Sequence, residues 1–448
     1  MEPSLHRGLG VVGIVFMVLA AAAPITVVAA NFPIVFMESG SAGAPLMVLA
    51  AAVILLLFSV GFTRMTPEVP DAGAFYSYVD RALGRRMGLG TAGVALLSYV
   101  LLTVSMTCYL GVQAGNLLAA LGGPHPPWWA VSAVMLAVVG GLGYRDIELS
   151  ARVLGTVLVA ELLAVVALDL GVLASGRELS AVPFSPAEAL HGAPGLGLLF
   201  AFLGFFGFEA TAVFRHEARD PERTIPRATY AAVGLIGVLY AVSAWLVASG
   251  LGVDSVVAAS AADPENVVLE LAGSVIAPVA ADVFRVLVVT SMFACMLSFH
   301  NIVSRYLFTL GERGVLPRAL GEVHPAHRAP SRASAWASAA TSAIVAASAA
   351  LGLEPVTQIY TWYSGAGAVG VIVMMTLTCV AVLAFFGRRG PAAWLAAPAA
   401  GAAGLVAVLA ISVANLPMLA GGVAPAVGCV VALAACFLAG AAAPAARR

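Results

Sequence analysis

Lysine is absent from this 448-residue chain, and all 22 of its cationic side chains are arginines. Charged residues of both signs make up only 10% of the sequence, whereas an ordinary soluble domain carries about 25%. Hydrophobic residues account for 61% of the chain. This composition excludes an ordinary soluble domain and indicates an integral membrane protein.

Several motifs are also absent. The chain has no strand-type alternation over about ten residues, which would indicate an outer-membrane barrel. It has no HExxH or GxSxG motif, which weighs against a membrane-embedded enzyme, and no GxxxxGK[ST] loop, which weighs against an ATP-driven pump. The net charge of −1 gives no indication of a nucleic-acid partner. The cysteines stand singly in apolar stretches without CxxC spacing, so we expect packing roles and neither disulfides nor a metal site. They are Cys108, Cys295, Cys379, Cys429 and Cys436.

Apolar stretches of about 20 residues, the length that crosses a bilayer as a helix, recur along the whole chain. They predict an all-α polytopic membrane protein with twelve transmembrane helices. The predicted spans are 9–37, 44–63, 88–117, 127–143, 152–175, 194–214, 228–252, 279–307, 333–352, 357–386, 392–415 and 423–441.

The arginines predict the orientation of these spans. If the spans alternate in direction, 20 of the 22 arginines fall on one face, and the exceptions are Arg177 and Arg285. Cytoplasmic loops carry the excess of cationic residues, so both termini are predicted to be cytoplasmic. The first apolar stretch has some features of a secretory signal, but it runs on to Phe36, and the arginine count requires that it be retained.

Two of the predicted spans are interrupted. Span 1, in "VLAAAAPITVVAANFP", places Pro24 in mid-membrane, where its ring removes a backbone hydrogen bond. Span 6 carries Gly204 and Gly207 in "LGFFGFE". The two spans are five positions apart, which predicts two halves of five helices, an inverted repeat with its binding site near the bilayer midplane. The alternative is that proline and glycine only kink these helices or allow close packing.

A broken helix exposes unpaired N–H groups on one half and unpaired C=O groups on the other, so it offers sites for an anion and a cation. Irregular backbone at that depth is tolerated only when it is buried in protein or lines a watery cavity. The two breaks therefore supply most of the predicted substrate-binding residues. These are Ala22, Ala23, Pro24, Ile25 and Thr26 in span 1 and Gly204, Phe205, Phe206, Gly207 and Phe208 in span 6.

Three segments resemble the amino acid-polyamine-organocation (APC) superfamily. "GFFGFEATAVFRHEARDPERTIPRA" (204–228) resembles its sixth-helix signature, "TPEVPDAGAFYSYVDRALGRRMG" (66–88) its loop before helix three, and "SRYLFTLGERGVLPRALGEVHPAHRAPSRA" (304–333) its segment after helix eight. The resemblance implies a five-plus-five inverted-repeat (LeuT-like) core with two added helices, in a bacterial cytoplasmic membrane. The implied divisions are 1–176, with helix 1 broken near 21–26, then 177–387, with helix 6 broken near 204–209, and 388–448.

The resemblance also implies secondary transport of amino acids or related amines, without a bound cofactor. The chain departs from the family in two places. "AAAPIT" (21–26) stands where many members carry a Gly-Ser-Gly-like stretch, and no lysine stands on helix five. Sodium coupling would need paired hydroxyls on helix eight, but Ser298 has only Leu297 and Phe299 beside it. Proton coupling is therefore favoured over sodium, with exchange and a non-transporting sensor as alternatives, and the substrate leans to a neutral amino acid over a polyamine.

Two carboxylates in apolar stretches are candidates for proton coupling. Glu161 interrupts the apolar fifth span, where a charged side chain costs on the order of 3 kcal/mol at the bilayer centre. Burial favours the neutral form of a carboxyl group, so Glu161 is predicted to bind and release a proton, unless it only hydrogen-bonds a neighbouring helix. The resemblance makes Glu209 a gating or proton-sensing residue, and a helix cap is the alternative. Asp169, near the outer end of the same span as Glu161, is expected to be wetted.

Aromatic residues complete the predicted site. Tyr99 in span 3 and Tyr360 in span 10 are candidates to line or gate the cavity, although aromatic residues in membrane helices more often pack or anchor at an interface.

Overall fold

A computed structural model describes residues 8–69, 73–145, 147–388 and 391–443. Within these ranges the protein is helical and forms no strand, which confirms the predicted all-α class. One isolated bridge pairs Leu9 with Ala218.

The principal helices are numbered here in chain order. They are α1 (Val11–Ala22), α2 (Phe32–Ser39), α3 (Ala44–Arg64), α4 (Ala74–Leu83), α5 (Arg85–Ala120), α6 (Trp128–Tyr144), α7 (Ile147–Ala174), α8 (Pro194–Leu203), α9 (Ala210–Val213), α10 (Pro221–Leu251), α11 (Val256–Ala262), α12 (Val267–Val275), α13 (Val279–Glu312), α14 (Ser331–Ala350), α15 (Thr361–Phe386), α16 (Ala396–Ala414) and α17 (Val423–Ala442). A short helix (Pro24–Thr26) and a π-helical turn (Val27–Asn31) join α1 to α2, and a second π-helical turn (Pro355–Tyr360) leads into α15.

The chain is a multi-pass membrane protein. In the described ranges, ten helical segments are long and apolar enough to cross a membrane. Of two shorter apolar helices, α6 coincides with the fourth predicted span and α8 forms the first half of the sixth. The total of twelve spans and the inverted repeat stay predictions.

The observed helix bounds lie close to the predicted spans. The second span, predicted over 44–63, is Ala44–Arg64, and the last, predicted over 423–441, is Val423–Ala442. The sequence reasoning missed α4, α11 and α12, because helices of seven to ten residues are too short for an apolar window of about 20 residues to detect.

Helix α1 lies at the centre of the bundle and packs against α7, α10 and α13. Every residue from Met17 to Ala22 is at most 5% exposed. In contrast, α17 leaves large apolar side chains such as Val427 and Leu438 exposed, as expected of a peripheral helix facing lipid. The bundle therefore buries the end of α1 at which the first interruption begins.

Polar contacts close the arginine-rich end of the bundle. The Arg305 guanidinium forms a buried ion pair with Glu217 at 3.0 Å. Nearby, the Leu9 N–H donates to the Glu217 carbonyl at 3.0 Å, and the Arg219 N–H donates to the Leu9 carbonyl at 2.8 Å. The charged loop after the sixth span is thus tied to neighbouring segments. Arg7, Arg389, Arg447 and Arg448 lie outside the described residues, and the membrane orientation stays a prediction.

Candidate functional site

The first interruption is a true break in the helix. α1 ends at Ala22, and Ala23 adopts the left-handed conformation with φ 49°. This conformation costs a non-glycine residue about 1–2 kcal/mol. Helical hydrogen bonding resumes where the Val27 N–H donates to the Ala23 carbonyl at 3.0 Å. Pro24, directly after the break, has no N–H to donate.

Side chains from two other helices bind the carbonyls that the break exposes. The Cys295 thiol of α13 donates to the Ala21 carbonyl at 3.2 Å. The Tyr240 hydroxyl of α10 donates to the Ala22 carbonyl at 3.0 Å. The negative end of the first half-helix is therefore satisfied by weak neutral donors.

Glu161 of α7 binds the opposite side of the same break. Its Oε2 accepts a hydrogen bond from the Ile25 N–H at 3.4 Å and from the Ser291 hydroxyl of α13 at 2.7 Å. The residue is fully buried, and its Oε1 has no hydrogen-bond partner. The Thr26 hydroxyl is also buried without a partner. The structure thus brings Glu161 together with the predicted residues of span 1.

The second break separates α8 from α9. Residues 204–209 form turns, and Gly207 has φ +104°. A Cβ atom at Gly207 would lie 2.6 Å from the Ala21 Cβ, so the glycine is needed both for its conformation and for close approach to the first break. Gly204 has an ordinary φ of −62° and packs near Val27. The two interruptions predicted from the sequence are therefore in direct contact.

Glu209 stabilises the break in which it lies. Its Oε2 accepts from the Gly207 N–H at 3.0 Å, and its Oε1 accepts from the Tyr99 hydroxyl at 2.6 Å. The residue is fully buried. The structure thus joins Tyr99 and Glu209, both predicted site residues, to the second break.

The predicted aromatic residues make packing contacts. Phe205 packs against Tyr240, Phe206 against Phe202 and Phe208 against Phe58, with ring centroids about 6 Å apart. Tyr360, in the π-helical turn before α15, lies 4.6 Å from Tyr109 between ring centroids. Their predicted roles in binding or gating stay predictions.

Sequence reasoning missed three residues at the first break, Tyr240, Ser291 and Cys295. Each is one of several polar groups scattered along a largely apolar helix, so none stands out in the sequence, and Cys295 is assigned there to packing. The expectation that Asp169 is wetted was wrong. It is 7% exposed and accepts a hydrogen bond from the Ser243 hydroxyl at 2.8 Å, because α10 covers this part of α7.

No part of the described chain groups three or more histidine, cysteine or acidic side chains for a metal ion. A groove of about 800 Å³ between α6 and α14, lined by residues such as Trp129, Leu136 and Val345, contains none of the predicted site residues. Most of the predicted site residues therefore gather at the pair of breaks, where each break holds a buried carboxyl group.

Two interrupted helices that meet inside an apolar bundle define a multi-pass membrane protein with a buried polar centre. The sequence profile of the amino acid permease family matches residues 9–442. The chain belongs to this family, which confirms the resemblance to the APC superfamily.

Individual relatives are more distant. The chain is 24% identical to the branched-chain amino acid permease of Lactococcus lactis over 62% of each chain. It is 24% identical to the low-affinity putrescine importer of Escherichia coli over 63% of this chain and 62% of the relative. A probable GABA permease of Pseudomonas aeruginosa is 26% identical over 61% of this chain and 58% of the relative. The chain thus aligns with about three fifths of the length of these relatives.

Proposed function

We propose that the protein is a secondary transporter that moves amino acids or related amines across the bacterial cytoplasmic membrane by alternating access. The observation that carries this proposal is the contact between the two breaks, where Gly207 lies against Ala21 and each break brings a buried carboxyl group to a backbone N–H. Membership of the permease family and the transport activities for which the three relatives are named support it. An enzymatic role has no comparable support.

In this proposal the substrate binds between the breaks. Its carboxylate meets amides of the second half of the first broken helix, in the segment from Ala22 to Thr26. Its ammonium group meets carbonyls of the segment from Gly204 to Phe208. Tyr99 and Tyr360 border the site. The helix termini supply the electrostatic complement, since N-terminal ends favour anions and C-terminal ends favour cations.

We propose that proton movement drives accumulation, with Glu161 as the coupling residue. Glu161 is buried at the break, where it accepts hydrogen bonds from Ile25, in the short helix that follows α1, and from Ser291 of α13. It forms no ion pair with any described arginine or histidine. A change in its protonation therefore alters contacts between helices that must move in alternating access. Glu209, with both oxygens hydrogen-bonded, is proposed to hold the gate. The inverted repeat, twelve spans and cytoplasmic termini belong to the same proposal.

Ligand binding tests the proposal first. Purified protein is screened by thermal unfolding against the common amino acids and their amines, because a ligand that binds only the folded state raises the melting temperature. A hit is then tested for uptake into proteoliposomes under an imposed pH gradient, with a proton ionophore as control. We expect accumulation that the ionophore abolishes. Counterflow without net accumulation would instead indicate an exchanger, and binding without any flux would indicate a sensor.

A further inference from the structure

The first break offers few backbone donors to a ligand. The Ala23 N–H already donates to the Leu19 carbonyl at 3.1 Å, and Pro24 has no N–H. The Val27 N–H donates to Ala23 at 3.0 Å as helical bonding resumes. The backbone N–H groups of Ile25 and Thr26 lie before this bond, in the first turn of the resumed helix, where N–H groups have no helical acceptor. An anionic group that binds this break must therefore use one or both of these two amides.

Glu161 already occupies one of them. Its Oε2 lies 3.4 Å from the Ile25 nitrogen, longer than the usual 2.9–3.0 Å of an N–H···O bond. The same oxygen is held at 2.7 Å by Ser291. The contact with the Ile25 N–H is thus the weaker of the two. Glu161 can therefore move away from Ile25 while its hydrogen bond with Ser291 is kept.

Glu161 has no compensating cation among the side chains that the structure describes. None of the described arginines or histidines pairs with it, and its Oε1 is buried without a hydrogen-bond partner. Among the described side chains of the other helices, the titratable groups near its charge are the Tyr240 hydroxyl of α10 and the Cys295 thiol of α13, both weak acids. On α7 itself, Asp169 lies two turns further along. The helical run from Pro24 to Ser39 contributes only Glu38, near its far end.

We propose that Glu161 occupies the position that the carboxylate of an amino acid takes on binding, so that carboxylate-bearing ligands bind with Glu161 protonated while simple amines pair with its ionised form. Two anions at one amide, with none of the described arginines or histidines paired with them, repel each other. A proton taken from solution by the Glu161 carboxylate removes that repulsion and frees the Ile25 N–H. This inference rests on the proposed function, because it requires that substrates bind at the break.

The inference predicts opposite pH dependences for two ligand classes. Binding of a carboxylate-bearing ligand takes up one proton, so its affinity falls as pH rises, by up to about tenfold per pH unit once Glu161 is ionised in the empty protein. An amine without a carboxylate gains affinity over the same range. Two ligands that differ only in the carboxylate therefore separate this mechanism from a general effect of pH on the protein.

The test uses L-leucine and isopentylamine, which is leucine without its carboxylate. Leucine is chosen because one relative is a branched-chain amino acid permease, and any other amino acid found by the thermal screen is paired with its own decarboxylated amine in the same way. Affinities are measured by calorimetry from mildly acidic to mildly alkaline pH, together with the proton uptake that accompanies binding. We expect leucine to weaken and isopentylamine to tighten as pH rises.

Glu161→Gln is the decisive variant, because its neutral amide mimics the protonated acid. We expect leucine to bind it with no pH slope and no proton uptake, and isopentylamine to lose most of its affinity. Asp169→Asn is the matched control, since it neutralises a buried carboxyl on the same helix that makes no contact with the break. This control should keep the slopes of the wild-type protein.

Amino acid binding that shows no pH slope in the wild-type protein, or the same slope in Glu161→Gln, overturns the inference while leaving transport intact. If no amino acid or amine binds either protein at any pH, the proposed function falls and the inference falls with it.

Discussion

The two helix breaks solve the same electrostatic problem in different ways. In each, a buried carboxyl group accepts a hydrogen bond from a backbone N–H that the break leaves without a helical acceptor. This N–H belongs to Ile25 in the first break and to Gly207 in the second. Glu209 belongs to its own break and uses both oxygens, whereas Glu161 reaches in from α7 and leaves one oxygen without a partner. The free N–H of the second break is therefore bound by a residue of the same segment. That of the first break is bound by a residue of another helix, which a ligand can replace.

The breaks also differ in how the backbone turns. The first uses Ala23 in a left-handed conformation followed by a proline, and the second uses Gly207 with φ +104°. Alanine tolerates its conformation at a modest cost, while the position of Gly207 has no room for any side chain. We therefore expect substitutions at the second break to affect folding and substitutions at the first to affect binding.

The largest expected effect comes from Gly207→Ala. Its new Cβ would lie 2.6 Å from the Ala21 Cβ, and the residue would also be strained at φ +104°. Overpacking and backbone strain together should lower the free energy of unfolding by about 3 kcal/mol or more. Thermal unfolding of the purified protein measures this loss. Gly204→Ala is the matched control, because its φ is ordinary and its nearest neighbour is the Val27 side chain at 3.2 Å. Equal stability of the two variants would refute the distinction.

Glu161→Gln should affect transport far more than stability. Glutamine keeps the size of the side chain and the hydrogen bond to Ser291 but cannot carry a proton. We expect substrate accumulation under a pH gradient to fall by on the order of tenfold or more, while exchange of labelled for unlabelled substrate continues. Proteoliposome assays of both fluxes measure this. Unchanged accumulation with the wild-type pH dependence would exclude Glu161 as the coupling residue.

Glu209→Gln should show the reverse balance, with a smaller effect. Each oxygen of Glu209 accepts one hydrogen bond, but glutamine has only one oxygen, so one of the two donors loses its acceptor. A buried donor without a partner costs about 1–3 kcal/mol, and we expect the substitution to lower the stability of the protein by about 2 kcal/mol. Tyr99→Phe removes only one of the two bonds and should cost less. Melting temperatures of these variants beside Glu161→Gln test the order. If Glu161→Gln is the least stable of the three, the distinction between a stabilising Glu209 and an exchangeable Glu161 is wrong.

The parts of this structure that could be predicted from the sequence are those set by local chemistry. Apolar length places most of the spans within a few residues, and Pro24 and Gly207 mark the breaks, because a missing N–H and a positive φ are properties of single residues. The partners of the exposed groups depend on which helices pack together. Glu161 stands out in its own helix, but its contact with Ile25 joins residues 136 positions apart, and nothing near Cys295 indicates that its thiol meets Ala21.

The backbone bridge at Leu9 has a mechanical consequence. Its two hydrogen bonds, to Glu217 and Arg219, fasten the start of α1 to the loop that follows α9. At the other end of α1, Gly207 packs directly against Ala21. Because both ends of α1 contact the stretch from Gly207 to Arg219, we expect a tilt of α1 to move that stretch with it as one lever.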